Sequence, residues 1–129
     1  MNYLLDTHAL IWFFSGDVKL SDKVRLLMEN EEETKFISLV SIWEMGIKQS
    51  KGKLTLALPL EEYIEEKLTL KDYKLLPINF KQISTITRLP FYHNDPFDRL
   101  LIAQSIVEKM PIISKDTAFA PYDIQIIWD

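Results

Sequence analysis

Apolar residues along this chain fall into short runs alternating with helix-spaced stripes, and nearly every change of rhythm sits beside a turn or capping residue. Tyr3, Leu4 and Leu5 form a run that stops at Asp6, and Ala9 to Phe14 continue almost wholly apolar up to Gly16. This predicts a buried strand feeding a buried helix. Ser21 predicts an N-cap for a helix to about Asn30, with Val24, Leu27 and Met28 on one face. Glu31, Glu32 and Glu33 then read as its solvated terminus. Phe36 to Val40 is a second strand, followed by a helix from Ser41 to about Ser50 and a loop around Gly52. Leu60, Tyr63, Ile64 and Leu68 have the spacing of an amphipathic helix. Leu75 to Ile78 is a third strand, and Asn79 with Gln82 gives a capping-box start to a helix ending before Pro90. Beyond the loop Leu89 to Asn94 and the pair Asp95-Pro96, a helix carries Leu100, Leu101, Ile102, Ala103, Ile106 and Val107 nearly all round, which predicts a central position. Pro111 to Ile113 and Ile124 to Ile127 supply two closing strands.

Strands alternating with helices predict an α/β fold: three layers, α/β/α, around a central parallel sheet of about five short strands. No repeat or linker interrupts the pattern, so residues 1–129 are expected to form one domain.

Composition changes this picture in three places. Cysteine is absent, so any metal must be held by oxygen or imidazole; the same absence fits a reducing, cytoplasmic setting. The apolar opening from Met1 to Phe14 lacks a basic start and a cleavage site and contains Asp6 and His8, so it reads as strand and helix rather than as a signal peptide. No run approaches the roughly 18 uninterrupted apolar residues of a membrane span. The formal net charge of −4 argues at first sight against a nucleic-acid partner. It does not decide the matter, because four acids gathered in one site leave the rest of the chain neutral, and bound cations reverse the sign a substrate meets.

Those four are Asp6, Glu44, Asp98 and Asp116, each placed by the pattern at a strand-to-helix junction or in a helix's opening turns. In a parallel sheet such junctions share one edge. Each acid has a local explanation. Asp6 could cap the helix starting at Thr7, and Ser41 with Glu44 matches the S-x-x-E capping box. Asp95-Pro96 is an N-cap with Pro at the first helical position, which puts Asp98 in a first turn favoured by the helix dipole. Asp116 could cap a short turn at Thr117 to Phe119. The conjunction is harder to explain locally, since clustered like charges destabilise a fold unless a cation neutralises them. Carboxylate oxygens suit Mg²⁺ or Mn²⁺, which can activate water and stabilise a leaving oxygen in phosphoryl chemistry.

The segments Leu5-Asp6-Thr7-His8-Ala9-Leu10, Ser41-Ile42-Trp43-Glu44-Met45, Asp95-Pro96-Phe97-Asp98-Arg99-Leu100-Leu101-Ile102-Ala103-Gln104 and Ile113-Ser114-Lys115-Asp116-Thr117-Ala118-Phe119 together resemble the PIN-domain ribonucleases, in particular toxins of the VapC type. The resemblance spans nearly the whole chain, in order. It implies a Mg²⁺- or Mn²⁺-dependent endoribonuclease with Asp6, Glu44, Asp98 and Asp116 as its catalytic and metal-binding acids. It further implies a homodimer, and a cognate antitoxin that inhibits it by binding across the active-site groove. Ser114 matches the family's hydroxyl position near the fourth acid.

Other residues keep two readings each. Thr7 could hydrogen-bond a carboxylate or phosphate, or simply start a helix. His8 could contact substrate or lie in the core, with the structural role favoured. Lys48 could pair with Glu44 one turn away. Arg99 could reach phosphate or serve an ion pair. Trp43 is expected in the core. Phe91, Tyr92 and His93 could stack on an unpaired base or anchor their loop. The rival function is a non-catalytic phospho-receiver or regulatory Mg²⁺-binding domain. That class wants paired acids after its first strand and an acceptor Asp after a middle one, where this chain has Ser41 and Asn79. A haloacid-dehalogenase phosphatase would want Asp where His8 stands.

Overall fold

A computed structural model describes residues 1–129. Five strands form one wholly parallel sheet: β1 (Asn2–Leu5), β2 (Thr34–Ser38), β3 (Tyr73–Leu76), β4 (Ile112–Ile113) and β5 (Ile126–Ile127), in the order β3-β2-β1-β4-β5. Six helices connect them: α1 (Thr7–Ser15), α2 (Asp22–Glu29), α3 (Leu39–Ser50), α4 (Leu60–Leu68), α5 (Phe80–Ile86) and α6 (Pro96–Glu108).

Alternation along each strand divides the core in two. Tyr3 and Leu5 of β1 and Ile37 of β2 join Ala9, Leu10, Val24, Met28, Tyr63 and Ile64 from α1, α2 and α4. Leu4, on the opposite face of β1, joins Leu100, Leu101, Ile102 and Ala103 of α6 with Phe119 and Tyr122. Helices therefore cover both sheet faces, which is the expected three-layer arrangement, because a parallel sheet buries both its faces. α6 is as central as its all-round apolar sequence predicts, with Leu101, Ile102, Ala103 and Gln104 fully buried. No helix is long and apolar enough to cross a membrane.

Two strand boundaries differ from the sequence reading. β2 ends at Ser38, not Val40, because the Ser38 hydroxyl accepts from the Val40 amide at 3.0 Å and caps α3. Leu39 and Val40 read as strand by their apolar character, yet they form the helix's first turn. β3 runs Tyr73–Leu76 rather than Leu75 to Ile78. Pro77 has no N–H for the ladder and closes the strand. The Asn79–Gln82 capping box forms as expected, with both reciprocal bonds present.

Strand order reverses at β1, whose neighbours β2 and β4 are reached by connections leading away in opposite directions. A crevice outside the strand C-termini at such a switch point is where open α/β sheets bind ligands.

Candidate active site

Asp6 leaves the end of β1 and occupies the N-cap position of α1, but its side chain makes no capping bond. It is 5% exposed, and its Oδ2 accepts from the Ser114 hydroxyl at 2.8 Å. Burial is the main reason its carboxyl is pushed above the usual range, and the charge of Glu44 adds to the push. Ser114, His8 and the Thr7 amide pull the other way.

Glu44 sits in the second turn of α3. Because Ser38 and not Ser41 caps that helix, the expected capping box is absent and the Glu44 carboxylate is free to turn elsewhere. It accepts from Thr7 Oγ1 at 2.9 Å through Oε1 and from Lys48 Nζ at 3.0 Å through Oε2. Thr7 therefore does hydrogen-bond a carboxylate, and Lys48 forms the pair expected from its spacing. Ser41 is buried with its hydroxyl unpartnered.

Asp98 lies in the first turn of α6, which follows α5 and a loop rather than a strand, so its junction is not the strand-to-helix step read from the sequence. It reaches the same edge for a topological reason. α6 leads into the start of β4, so it runs against the strands and its first turn lies near their C-terminal ends. Asp95 caps the helix as expected, its Oδ1 accepting from the amides of Phe97 at 2.8 Å and Asp98 at 3.2 Å. The Asp98 carboxyl is pushed up to about 6, first by burial and then by Asp95 and Asp6, against the pull of His93.

Asp116 is exposed. Its amide donates to Ser114 Oγ at 3.0 Å, and its Oδ1 accepts from Ala118, capping a 3₁₀ turn over Thr117–Phe119. The local capping story thus describes Asp116 and fails for Asp6 and Glu44. Contacts link the acids by neighbours: Thr7, beside Asp6, donates to Glu44, Ser114 bonds both Asp6 and the Asp116 amide, and the charge of Asp6 adds to the raised proton affinity of Asp98, but no three of the four bring ligand atoms within 4.8 Å of one another. Asp6 and Asp116 line a cleft of about 370 Å³ with His8, Trp12, Lys115 and Thr117.

His93 is the residue whose part in this site the sequence did not disclose. Its Nε2 lies 2.6 Å from Asp98 Oδ2, and one proton occupies that contact whichever partner carries it. Ligand atoms of His93, Asp95 and Asp98 all lie within 4.8 Å of one another, a separation one divalent cation can bridge. The only signal was proximity: His93 stands two residues before a strong N-cap that turns the chain back over the helix start.

Three expectations are corrected. Arg99 does not face the cleft. It is 5% exposed, and its guanidinium donates to the carbonyls of Ile86, Leu89, Pro90 and His93 and to the Tyr122 hydroxyl, with Phe91 stacked at 4.1 Å. It fastens the loop that carries His93, with both terminal guanidinium nitrogens engaged there. Trp43 is 57% exposed and packs edge-on against Phe97 at 5.0 Å between ring centres, so it is not core. His8 is exposed on the cleft wall rather than buried.

A hidden polar chain holds the helices that carry Glu44 and Asp98. Ser38 donates to Gln104 Oε1 at 2.6 Å, and Gln104 Nε2 donates to Gln82 Oε1 at 3.1 Å. This joins the start of α3 to α6 and to the capping box of α5, and fully satisfied buried networks of this kind rigidify what they connect.

The PIN-domain family model matches residues 3–125. The chain belongs to the PIN-domain family. A search of curated protein sequences finds no match. Among solved structures, this PIN domain is similar to VapBC2 from Rickettsia felis bound to a DNA fragment from its promoter, at 18% identity and TM-score 0.69, covering 100% of each chain. It is also similar to VapBC-1 from nontypeable Haemophilus influenzae, at 17% identity and TM-score 0.66 over 98% of this chain and 97% of the other. A toxin-antitoxin complex from Klebsiella pneumoniae matches at 18% identity and TM-score 0.63 over 97% and 95%. At such identities the likeness is one of fold. PIN domains are generally nucleases, which fits a hydrolase role for the cleft.

Proposed function

We propose that this PIN domain is a Mg²⁺- or Mn²⁺-dependent endoribonuclease of the VapC type, the toxin of a toxin-antitoxin pair. The observation that carries the reading is the linked set of carboxylates at the sheet switch point, two of them with raised proton affinity. Buried carboxylates that burial and neighbouring acids make hard to ionise are a liability in a bare fold and an asset around a cation.

The donor set fits the ion. Asp6, Glu44 and Asp98 offer hard oxygens, Asp116 contributes directly or through water, and carboxylates with some water are what Mg²⁺ and Mn²⁺ accept. When bound, the cation supplies an activated water and charge neutralisation for phosphodiester hydrolysis. The chain's own part is positional. Ser114 fixes the Asp6 carboxylate, Thr7 and Lys48 fix both oxygens of Glu44, and His93 fixes Asp98. Bonds of this kind set ligand orientation, and their loss commonly costs about 10- to 100-fold in metal affinity or activity.

The partners in this reading are RNA, a cognate antitoxin covering the cleft, and a second copy of the chain. The antitoxin is supported by the toxin-antitoxin complexes among the similar folds. A homodimer is supported by α5, which exposes Phe80 at 87% and Ile83 at 51% one turn apart.

The test is cleavage of total RNA by antitoxin-free protein with Mg²⁺, with Mn²⁺ and with chelator, beside Asp98→Asn. Discrete fragments that require metal and vanish in the variant are the expected result. Cleavage that survives in Asp98→Asn would remove the site assignment, and no cleavage by folded wild type would remove the activity.

A further inference from the structure

The wall between α1 and α3 holds a second cleft, of about 330 Å³, beside the acidic one. It is lined by Thr7, His8, Trp12, Met45, Lys48 and Lys53 among others, and it shares His8 and Trp12 with the acidic cleft. These two side chains, one helical turn apart, therefore form a ridge between a cleft that holds Asp6, Asp116 and Lys115 and one that holds Lys53 and Lys48, the latter paired with Glu44.

The ridge is aromatic and held in place. The His8 and Trp12 rings lie 5.5 Å apart at a tilt of 37°. Trp12 is braced by Trp128, edge-on at 5.9 Å, and carries the Lys19 ammonium 5.5 Å from its ring centre. Cations bracket it. Lys53 in one cleft and Lys115 in the other are exposed, and neither takes part in an ion pair. In a chain whose net charge is −4, two uncompensated lysines flanking an aromatic ridge next to the acids make a local reversal of sign.

An occupant must tolerate the acids in one cleft, satisfy an unpaired lysine in each, and place a flat face on a ridge between them. An acidic peptide meets the lysines and is repelled by the carboxylates. A single-stranded nucleic acid meets all three demands. Its phosphates approach the lysines, its bases stack on aromatic side chains, and one phosphate can enter an acidic pocket that a cation has neutralised. A cleft of this size is at the small end of ligand pockets, which run from about 300 to 1,000 Å³. It is of a size for one nucleotide.

We infer that the cleft between α1 and α3 is a subsite for the unpaired nucleotide next to the scissile phosphate, its base against His8 and Trp12 and its phosphate toward Lys53. The inference rests on the ribonuclease reading above and adds where the strand lies and which residues select it. The substrate class is single-stranded RNA, or an unpaired loop, crossing α1 from the Lys115 side to the Lys53 side.

The experiment uses the whole chain with Mn²⁺ and a short fluorescent single-stranded oligoribonucleotide, comparing His8→Ala, Lys53→Glu and Trp12→Leu with Lys74→Glu on the distant edge strand. KM, kcat and the mapped cleavage sites are read for each. Binding of the same oligomer is read by anisotropy in an Asp98→Asn background, which the proposed reading makes unable to cut it. Losing one stacked base or one phosphate contact should raise KM about tenfold with a much smaller change in kcat. Trp12→Leu should also change which base flanks the cut, and Lys74→Glu should match wild type. His8 and Lys53 are exposed, so their variants decide the matter even if Trp12→Leu fails to fold. Unchanged KM, cut sites and oligomer binding in His8→Ala and Lys53→Glu would overturn the subsite and leave the nuclease standing, the cleft then passing to a protein partner. If wild type binds the oligomer through Lys53 and His8 yet never cleaves RNA, the subsite stands and the nuclease reading falls.

Discussion

Replacing Asp98 with Asn should stabilise the metal-free protein at neutral pH and leave its stability unchanged in acid. Burial, Asp95 and Asp6 together push the Asp98 carboxyl from 3.8 up to about 6. A carboxyl that is harder to ionise in the folded chain keeps a proton there that the unfolded chain has already lost, so stability falls as pH rises between those two values. Below about pH 4 the group is protonated in both states and costs nothing; above about pH 6 the whole cost of the buried carboxylate is present. The interval from 3.8 to about 6 corresponds to about 3 kcal/mol at about 1.4 kcal/mol per tenfold change in proton affinity. The side chain keeps 17% exposure, so screening reduces the expected gain to about 1–2 kcal/mol. Asn has nearly the same shape, can still accept a hydrogen bond from His93, and carries no charge at any pH. Urea unfolding followed by circular dichroism, in chelator and across about pH 4 to about pH 7.5, isolates the effect as variant minus wild type, because every other carboxylate is common to both. The difference should be near zero in acid and grow to about 1–2 kcal/mol at the neutral end. Saturating Mn²⁺ should then shrink or reverse it, since wild type gains binding free energy that the variant lacks. A difference that is independent of pH, or a variant less stable at neutral pH, would refute the view that Asp98 is held at a cost.

Substitutions at three other positions separate roles within the fold. Ser114→Ala removes the bond that holds Asp6 and lowers its proton affinity, so the Asp6 carboxyl should rise further and Mn²⁺ affinity by calorimetry should fall about 10- to 100-fold, with the fold intact by circular dichroism. Arg99→Ala removes a donor from four carbonyl oxygens, of which those of Ile86 and Pro90 keep another, and should lower stability by about 2–4 kcal/mol in urea unfolding; Arg99→Lys should recover only part, because an ammonium cannot span that set. Ser41→Ala should raise stability by about 0.5–1.5 kcal/mol in the same assay, because it deletes a buried hydroxyl with no partner and adds a better helix former.

Long-range order in this protein was written in its hydrophobic rhythm, and local chemistry at the element ends only in part: the caps at Ser21, Asn79 and Asp95 were legible, and the start of α3 was not. The alternation of strands and helices gave the parallel sheet, and the all-round apolar face of α6 gave its central place. Boundaries slipped where two rules compete for one residue. Leu39 and Val40 suit a strand by type but follow a Ser that caps, and Leu75 and Leu76 look like the start of a strand that Pro77 ends. The same slip misread Glu44. Counting the helix from Ser41 made it a capping residue, whereas counting from Ser38 frees its carboxylate for Thr7 and Lys48. Arg99 was misjudged because a charged residue near an acid looks functional in sequence, and only the folded loop shows four carbonyls waiting for it. The contact of His93 with Asp98 had no sequence signal beyond nearness, since it depends on the path of the loop that Arg99 fastens.

In the proposed reading an acidic chain handles RNA, which looks contradictory until charge is assigned by place rather than by sum. The carboxylates at the switch point repel one another and would repel phosphate, so in bare protein the cleft and the substrate are mutually unfavourable. A divalent cation among them removes the first repulsion and turns the second into attraction. In the proposed reading, metal and RNA therefore bind with positive coupling, and the coupling must be reciprocal: whatever factor the metal adds to RNA affinity, a phosphate in the cleft adds to metal affinity. Lys53 and Lys115 attract phosphate with or without the ion, because neither is paired with an acid. They can hold a strand across α1 before the acidic pocket accepts its phosphate. On this argument the lysines and the aromatic ridge choose the strand, and the carboxylates, costly to keep unpaired, make its cleavage conditional on the cation.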